Sequence, residues 1–144
     1  MKKSTRNIRY LVVHCSATPE GREHSAKDID LWHRQRGFEG IGYNYVIRLD
    51  GTVELGRDVN KIPAHVTNHN KDSIGICYIG GIDKNTLQPK DTRTAAQKEA
   101  LKKLLTELKA LYHEAEILGH RDFPGVAKAC PCFDAKDEYK NIGK

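Results

Sequence analysis

The sequence contains no long apolar segment. No uninterrupted apolar run exceeds four residues, the longest being residues 10–13 and 76–79. A membrane-spanning helix needs roughly 18 such residues, and the core of a secretory signal peptide needs about 7 to 15. The sequence therefore predicts neither a membrane protein nor a protein with a signal peptide, and we expect synthesis in the cytoplasm.

A block of charge of one sign is also missing. The 24 Lys and Arg residues exceed the 19 Asp and Glu residues, which gives a net charge of +5, but basic and acidic residues are intermixed. A net positive charge is compatible with nucleic acid or with an anionic cell-wall polymer as partner. Because no aromatic residues alternate with a basic stripe, the pattern disfavours nucleic-acid binding.

Cysteines are few, although their number is even: Cys15, Cys77, Cys130 and Cys132. A chain of 144 residues is long enough to form one hydrophobic core without disulfides. We therefore expect reduced thiols or thiolates on a metal, and one domain over residues 1–144.

Hydrophobic patterning predicts an α/β fold. Strands are predicted at 10–13, 43–49, 52–55, 74–79 and 115–119, and helices at 26–36 and from Thr94 onward. Ser25 with Asp28 and Thr94 with Gln97 have the spacing of helix N-terminal capping boxes. The element order β-α-β-β-β-α-β predicts a single domain with a central mixed β-sheet flanked by helices. In the first helix, Trp32 and His33 fall on the inner face and are interpreted as packing residues.

Two histidines lie at the C-terminal ends of predicted strands. His14 comes directly after the apolar run of the first strand and His120 directly after the last strand, and Cys130 follows His120 by ten residues. Two imidazoles and one thiolate suit zinc with one coordination position left for water. By spacing alone, however, buried histidines and a core cysteine that meet by coincidence are the more common explanation.

Several motifs in unbroken order change that assessment. They are 13–18 (VHCSAT), 42–45 (GYNY) with 50–54 (DGTVE) and 56–57 (GR), 73–76 (SIGI), 80–83 (GGID), 119–122 (GHRD), and 128–131 (KACP) with 133–134 (FD). Over about residues 8–135 the sequence resembles the zinc N-acetylmuramoyl-L-alanine amidases. The similarity is closest to the phage lysozyme-amidases, a branch of the type 2 amidase and peptidoglycan-recognition family.

The resemblance implies specific roles for seven residues. It implies zinc ligation by His14, His120 and Cys130, and it makes Tyr43 and Lys128 the catalytic pair. It also places His65 and Asn70 in the substrate groove.

Three residues near these motifs need separate comment. Asn44 stands where the family often has His, and Cys132 stands where a small Gly or Ser is common. With Asn44 in place of His, a substrate contact made by that His in the family is not expected here. Cys132 is an alternative thiolate ligand for the metal. Cys15 is interpreted as a packed core thiol.

The implied function is zinc-dependent hydrolysis of the amide bond between N-acetylmuramic acid and L-alanine in peptidoglycan, by a monomeric phage or prophage endolysin. Such a protein acts on the cell wall after release from the cell. One alternative is a non-catalytic peptidoglycan-binding or regulatory module. Another is a basic nucleic-acid-binding domain with a structural zinc, which would bind DNA with a steep salt dependence.

Overall fold

The computed structural model describes residues 1–126 and 128–144. Its centre is a five-stranded sheet of β1 (Tyr10–Cys15), β3 (Tyr45–Ile47), β4 (Val53–Leu55), β5 (Ser73–Tyr78) and β7 (Glu116–Gly119). The strands lie in the order β4-β3-β5-β1-β7. Strand β1 pairs in parallel with both β5 and β7, and β5 pairs in parallel with β3, whereas β3 and β4 form an antiparallel hairpin. The predicted mixed sheet is confirmed.

Helices cover both faces of this sheet. Helix α2 (Ala95–Leu111) packs Leu101, Leu104, Leu105 and Leu108 against Leu11 and Val13 of β1. Helix α1 (Ala26–Gln35) lies on the opposite face, where Ile29 packs with Val46 and Cys77. Since side chains alternate along a strand, consecutive residues within β1, and likewise within β5, face different helices.

Both helices begin where the capping residues predict. Ser25 accepts a hydrogen bond from the backbone N–H of Asp28, and the Asp28 carboxylate accepts one from the backbone of Ser25. Thr94 and Gln97 form the same reciprocal arrangement at the start of α2. Each box satisfies backbone donors that a helix leaves without internal partners.

Four short elements were not predicted. Strands β2 (Thr18–Pro19) and β6 (Gly81–Ile82) pair in parallel as a separate small sheet. A 3-10 helix spans His120–Asp122, and helix α3 spans Ala135–Glu138. Segments of two to four residues are too short to show a hydrophobic period, so only tertiary contacts define them. Among the described residues, no helix has both the length and the apolar character that crossing a membrane requires.

Candidate metal centre and cleft

His14 lies near the C-terminal end of β1, on the face of the sheet that carries α1. Strand β1 lies between β5 and β7, and it directs Leu11, Val13 and Cys15 into the core beneath α2. His14 alternates with these residues and therefore faces the other side. Its side chain is nearly fully buried, with 1% exposure.

His120 reaches the same place through the neighbouring strand. Val13 of β1 is paired with Gly119 of β7, and His120 follows directly as the chain enters the 3-10 helix. The ring centroids of His14 and His120 are 4.5 Å apart. Asp122 Oδ2 accepts a hydrogen bond from Gly119 N and stabilises this turn.

Cys130 folds back onto the ends of both strands. Its Sγ accepts a hydrogen bond from Cys15 N at 3.2 Å, and its carbonyl oxygen accepts one from Arg121 N at 2.9 Å. The distance from Cys130 Sγ to His14 Nδ1 is 3.8 Å. One ligand atom each from His14, His120 and Cys130 lies within 4.8 Å of the other two.

This donor set fits a zinc ion. Tetrahedral zinc with bonds of about 2.0–2.3 Å to nitrogen and sulfur separates its ligand atoms by roughly 3.3–3.6 Å. The 3.8 Å between Cys130 Sγ and His14 Nδ1 is close to this range, and all three ligand atoms lie within 4.8 Å of one another, so a bound zinc would have to draw them together. Burial, and then the neighbouring histidines and Lys128, hold the pKa of His14 well below its usual range, while burial followed by Lys128 lowers the pKa of His120. Both imidazoles are therefore neutral near pH 7 and keep a lone pair for a metal.

Tyr43 and Lys128 flank this cluster. The Tyr43 ring lies 4.9 Å from the His14 ring between centroids. Burial, and then the surrounding cysteines, raise the pKa of Tyr43 well above its usual value, so that its phenol stays protonated. Lys128 is exposed, and its charge contributes to lowering the pKa values of His14 and His120.

His65 and Asn70 belong to the long loop between β4 and β5. His65 Nδ1 is 2.7 Å from His14 Nε2, and His65 Nε2 is 2.8 Å from Ser73 Oγ. Asn70 Oδ1 accepts hydrogen bonds from the backbone N–H groups of His65 and Val66, both at 2.9 Å. Asn70 therefore holds the loop in the conformation that brings His65 against His14.

All of the predicted site residues line one cleft of about 890 Å³: His14, Tyr43, His65, Asn70, His120, Lys128 and Cys130. Trp32 and His33 also line it, in addition to packing in the fold. The contact of Ser73 with His65 was not predicted, because nothing in the sequence pattern indicates it. A second groove of about 550 Å³ between the β3–β4 hairpin and α2 has no histidine or cysteine among its lining residues.

The remaining positions noted in the sequence have structural environments. Asn44 is buried, donates to Arg57 O at 3.0 Å and accepts from Gly75 N at 3.0 Å. Cys132 Sγ lies 3.8 Å from Cys15 Sγ and donates to Gly81 O at 3.3 Å. Contact with the Cys130 side chain, and then burial, raise the pKa of Cys15 to about 12, although the contact with Cys132 acts in the opposite direction. Cys15 is thus a protonated thiol within the core.

Comparisons with known proteins agree with this geometry. Residues 4–133 match the family model described as N-acetylmuramoyl-L-alanine amidase. The chain is 43% identical over 126 residues to the endolysin of Klebsiella phage KP32, a match that covers 88% of this chain and 82% of that protein. It is 39% identical over 126 residues to the endolysin of Escherichia phage T7, with the same coverage.

A solved structure shows the same fold. The endolysin N-acetylmuramoyl-L-alanine amidase LysCS from Clostridium intestinale URNW superimposes with a TM-score of 0.75 at 27% identity, covering 96% of this chain and 84% of that one. The family model, the two phage relatives and the shared fold all point to the same enzyme class. The chain therefore belongs to the N-acetylmuramoyl-L-alanine amidase family and is an amide hydrolase of peptidoglycan.

Proposed function

We propose that the protein is a zinc-dependent amidase in which His14, His120 and Cys130 hold the metal. The convergence of their three ligand atoms within 4.8 Å in the large cleft supports this proposal. Two neutral imidazoles and one thiolate leave a coordination position for water or substrate, which is the pattern of a catalytic zinc site.

Zinc, when bound, supplies a Lewis acid for the amide carbonyl and makes water a nucleophile at neutral pH. The residues of the chain supply the remaining chemistry. Tyr43 holds a proton on its hydroxyl group beside His14, because its pKa is raised well above the usual value. We assign to it the orientation of water and a share in proton transfer.

Lys128 is the proposed electrostatic group. It lies in the wall of the same cleft and is exposed, so its ammonium group can approach a bound substrate. Hydrolysis of an amide places negative charge on the former carbonyl oxygen. A cation beside that oxygen stabilises the charge as it develops.

The proposed substrate bond joins the lactyl group of N-acetylmuramic acid to the L-alanine of the stem peptide. Asn70 has its side-chain oxygen engaged by the loop backbone, so we assign its amide nitrogen to substrate contact. The net charge of +5 favours approach to an anionic wall polymer. We further propose the role of a phage-type endolysin, a monomer that acts on the cell wall after release from the cell.

End-group analysis of digested peptidoglycan tests the bond assignment. Digestion should release new α-amino groups on L-alanine and intact glycan strands without stem peptides, with no increase in reducing sugar. A chelator should abolish the release and added zinc should restore it. A glycosidase would instead produce reducing ends, because it acts through a pair of carboxylic acids at the sugar linkage.

The alternative of a non-catalytic module gives a different result in the same assay. Such a protein would sediment with peptidoglycan and release no new amino groups at any zinc concentration. New amino termini on D-alanine or diaminopimelate, without any on L-alanine, would contradict the amidase assignment even with a real zinc site.

A further inference from the structure

We propose that His65 is a positioning residue that fixes the tautomer of His14 and turns Nδ1 of that ring toward the metal position. It does so through a directed chain of hydrogen bonds from His14 through His65 and Ser73 to the carbonyl oxygen of His69. The inference rests on the proposed zinc site for its functional meaning. It assigns His65 a role different from the substrate contact that the family resemblance implies.

The direction of the chain follows from its last link. Ser73 Oγ lies 2.7 Å from His69 O, and a carbonyl oxygen only accepts, so the Ser73 hydroxyl must donate there. The hydroxyl has a single proton, so its 2.8 Å contact with His65 Nε2 requires that this nitrogen donates. Neutral His65 therefore has a proton on Nε2 and a lone pair on Nδ1.

The same reasoning determines the state of His14. His65 Nδ1 accepts at 2.7 Å, so His14 Nε2 must donate its proton to it. His14 Nδ1 then has no proton, and this is the nitrogen that lies 3.8 Å from Cys130 Sγ. A histidine that binds a metal through one nitrogen and donates from the other is the arrangement that outer partners usually enforce.

Both histidine rings are in the neutral form that this series of hydrogen bonds requires. His14 is almost fully buried, and among the described residues the histidines that form ion pairs with carboxylates are His24 and His69, not His14 or His65. A buried imidazolium without an anionic partner is costly, so both rings are neutral. Each ring therefore has one N–H and one lone pair at neutral pH, so the order of donors and acceptors has one solution.

The His65 ring packs closely against the backbone of Gly75. A Cβ added at Gly75 of β5 would lie 2.9 Å from His65 Nδ1 and 3.0 Å from His65 Cγ. Only glycine at this position allows the ring to lie against the strand. Asn70 fixes the backbone of His65 from the other side. His65 is therefore held in place by its neighbours, and both of its ring nitrogens already form hydrogen bonds.

Histidine tautomers in the metal-free protein provide the first test. Long-range proton–nitrogen NMR of the ¹⁵N-labelled protein should show His14 protonated at Nε2 and His65 protonated at Nε2. Signals are assigned by their loss in His14→Gln and His65→Gln. A His14 ring protonated at Nδ1 would overturn the proposal. This readout needs neither zinc nor activity, so it stands apart from the proposed function.

Zinc affinity, measured by competition with a chromophoric chelator, provides the second test. His65→Ala should weaken zinc binding about 10- to 100-fold, the usual effect of losing an outer partner of a metal ligand. His65→Gln should recover most of the affinity, because its amide oxygen accepts from His14 and its amide nitrogen donates to Ser73. His113→Gln, at an exposed histidine that does not line the cleft, should bind zinc like the parent protein.

Two further variants keep the proposal testable if His65→Ala does not fold. Gly75→Ala should displace the His65 ring and weaken zinc binding, and Ser73→Ala should allow both His14 tautomers to appear in the spectrum. Parental zinc affinity in His65→Ala and Gly75→Ala would overturn the positioning role while leaving the zinc site intact. The expected tautomers in a protein that binds no zinc would instead reject the proposed function alone.

Discussion

At the scale of single residues, the site separates two thiols that are close in sequence. Cys130 and Cys132 are two positions apart, yet Cys130 Sγ lies near His14 whereas Cys132 Sγ lies against Cys15 and Gly81 O. Cys132 also has a φ of 70°, in the left-handed region that favours glycine. The backbone conformation thus favours a glycine at this position, and the Sγ contacts with Cys15 and Gly81 O leave Cys130 as the thiol beside His14.

Replacing each thiol by a hydroxyl separates their roles. Cys130→Ser should weaken zinc binding by more than the roughly 10- to 100-fold typical of an outer partner, because it removes a ligand itself. Hydrolysis should disappear while the circular dichroism spectrum stays unchanged, since a core of this size folds without the metal. Cys132→Ser is the matched control and should retain zinc and activity. Zinc content after dialysis and release of amino groups are the measurements, and the reverse pattern would make Cys132 the ligand.

The ligand residues were easier to predict than the contacts around them. His14 and His120 follow strands that the hydrophobic pattern predicts, and the motifs around them set the expectation for Cys130. The hydrogen bond between His65 and Ser73 depends instead on how a loop of irregular sequence folds over Gly75. No periodic pattern encodes such a loop, so the sequence alone does not predict the direction of these hydrogen bonds.

At the scale of elements, α2 does more than cover the sheet. Gln97 is fully buried, and its Oε1 accepts from Thr94 N as the capping box requires. Its Nε2 donates to Ile79 O at 2.9 Å and to Ile47 O at 3.4 Å. One side chain therefore connects the start of the helix to the ends of β3 and β5.

The change Gln97→Glu isolates this second set of contacts. A carboxylate still accepts from Thr94 N but has no donor for the two carbonyl oxygens, and it would be buried beside them. We expect the free energy of unfolding to fall by about 2–4 kcal/mol, from lost hydrogen bonds and a buried charge without a partner. Urea denaturation measures the loss. Glu99→Gln, an exposed change on the same helix, should stay within about 0.5 kcal/mol, and an equally small effect of Gln97→Glu would contradict the bridging role.

The boundaries of the elements followed their local signals unevenly. Helices α1 and α2 begin after Ser25 and Thr94, as predicted, because a capping box is written in two residues at fixed spacing. The pairing of Thr18 with Gly81 joins segments far apart in the chain. Neither segment shows a sequence pattern that indicates this pairing, so the sequence does not predict the small sheet.

At the scale of the whole molecule, Arg93 connects the segment that carries the cysteines to the entry of α2. Its side chain is only 2% exposed and forms ion pairs with Asp91 and Glu138. It also donates to the Tyr139 hydroxyl at 2.8 Å, and its guanidinium lies 3.4 Å from the centre of the Phe133 ring. Phe133 directly follows the segment of Cys130 and Cys132, so this contact holds that segment against the core.

These ion pairs predict a pH dependence of stability. The hydrogen bond from Arg93 lowers the pKa of Glu138; for Asp91, burial acts in the opposite direction but the bonds from Arg93 prevail and lower its pKa as well. A carboxylate whose pKa is depressed in the folded state stabilises the protein at pH values above its pKa in the unfolded chain. This contribution is lost as the pH falls through its pKa in the folded protein. The unfolded values are 3.8 for Asp91 and 4.5 for Glu138. The contribution should therefore be complete above about pH 5 and should decrease below pH 4.5.

The variant Arg93→Met tests this contribution, since it keeps apolar contact with Phe133 and removes the cation. At pH 7 we expect a loss of about 2–3 kcal/mol, below the 3–5 of a fully buried pair because both carboxylates remain partly hydrated. The loss should shrink between pH 4.5 and pH 2.5, as Asp91 and Glu138 become protonated in the parent protein too. Other carboxylates with lowered pKa values, such as Asp83, act equally in both proteins, so the difference isolates the pair. Urea denaturation with a chelator present keeps metal release out of the comparison, and a loss that stays constant from pH 7 to pH 2.5 would show that Arg93 acts through packing alone.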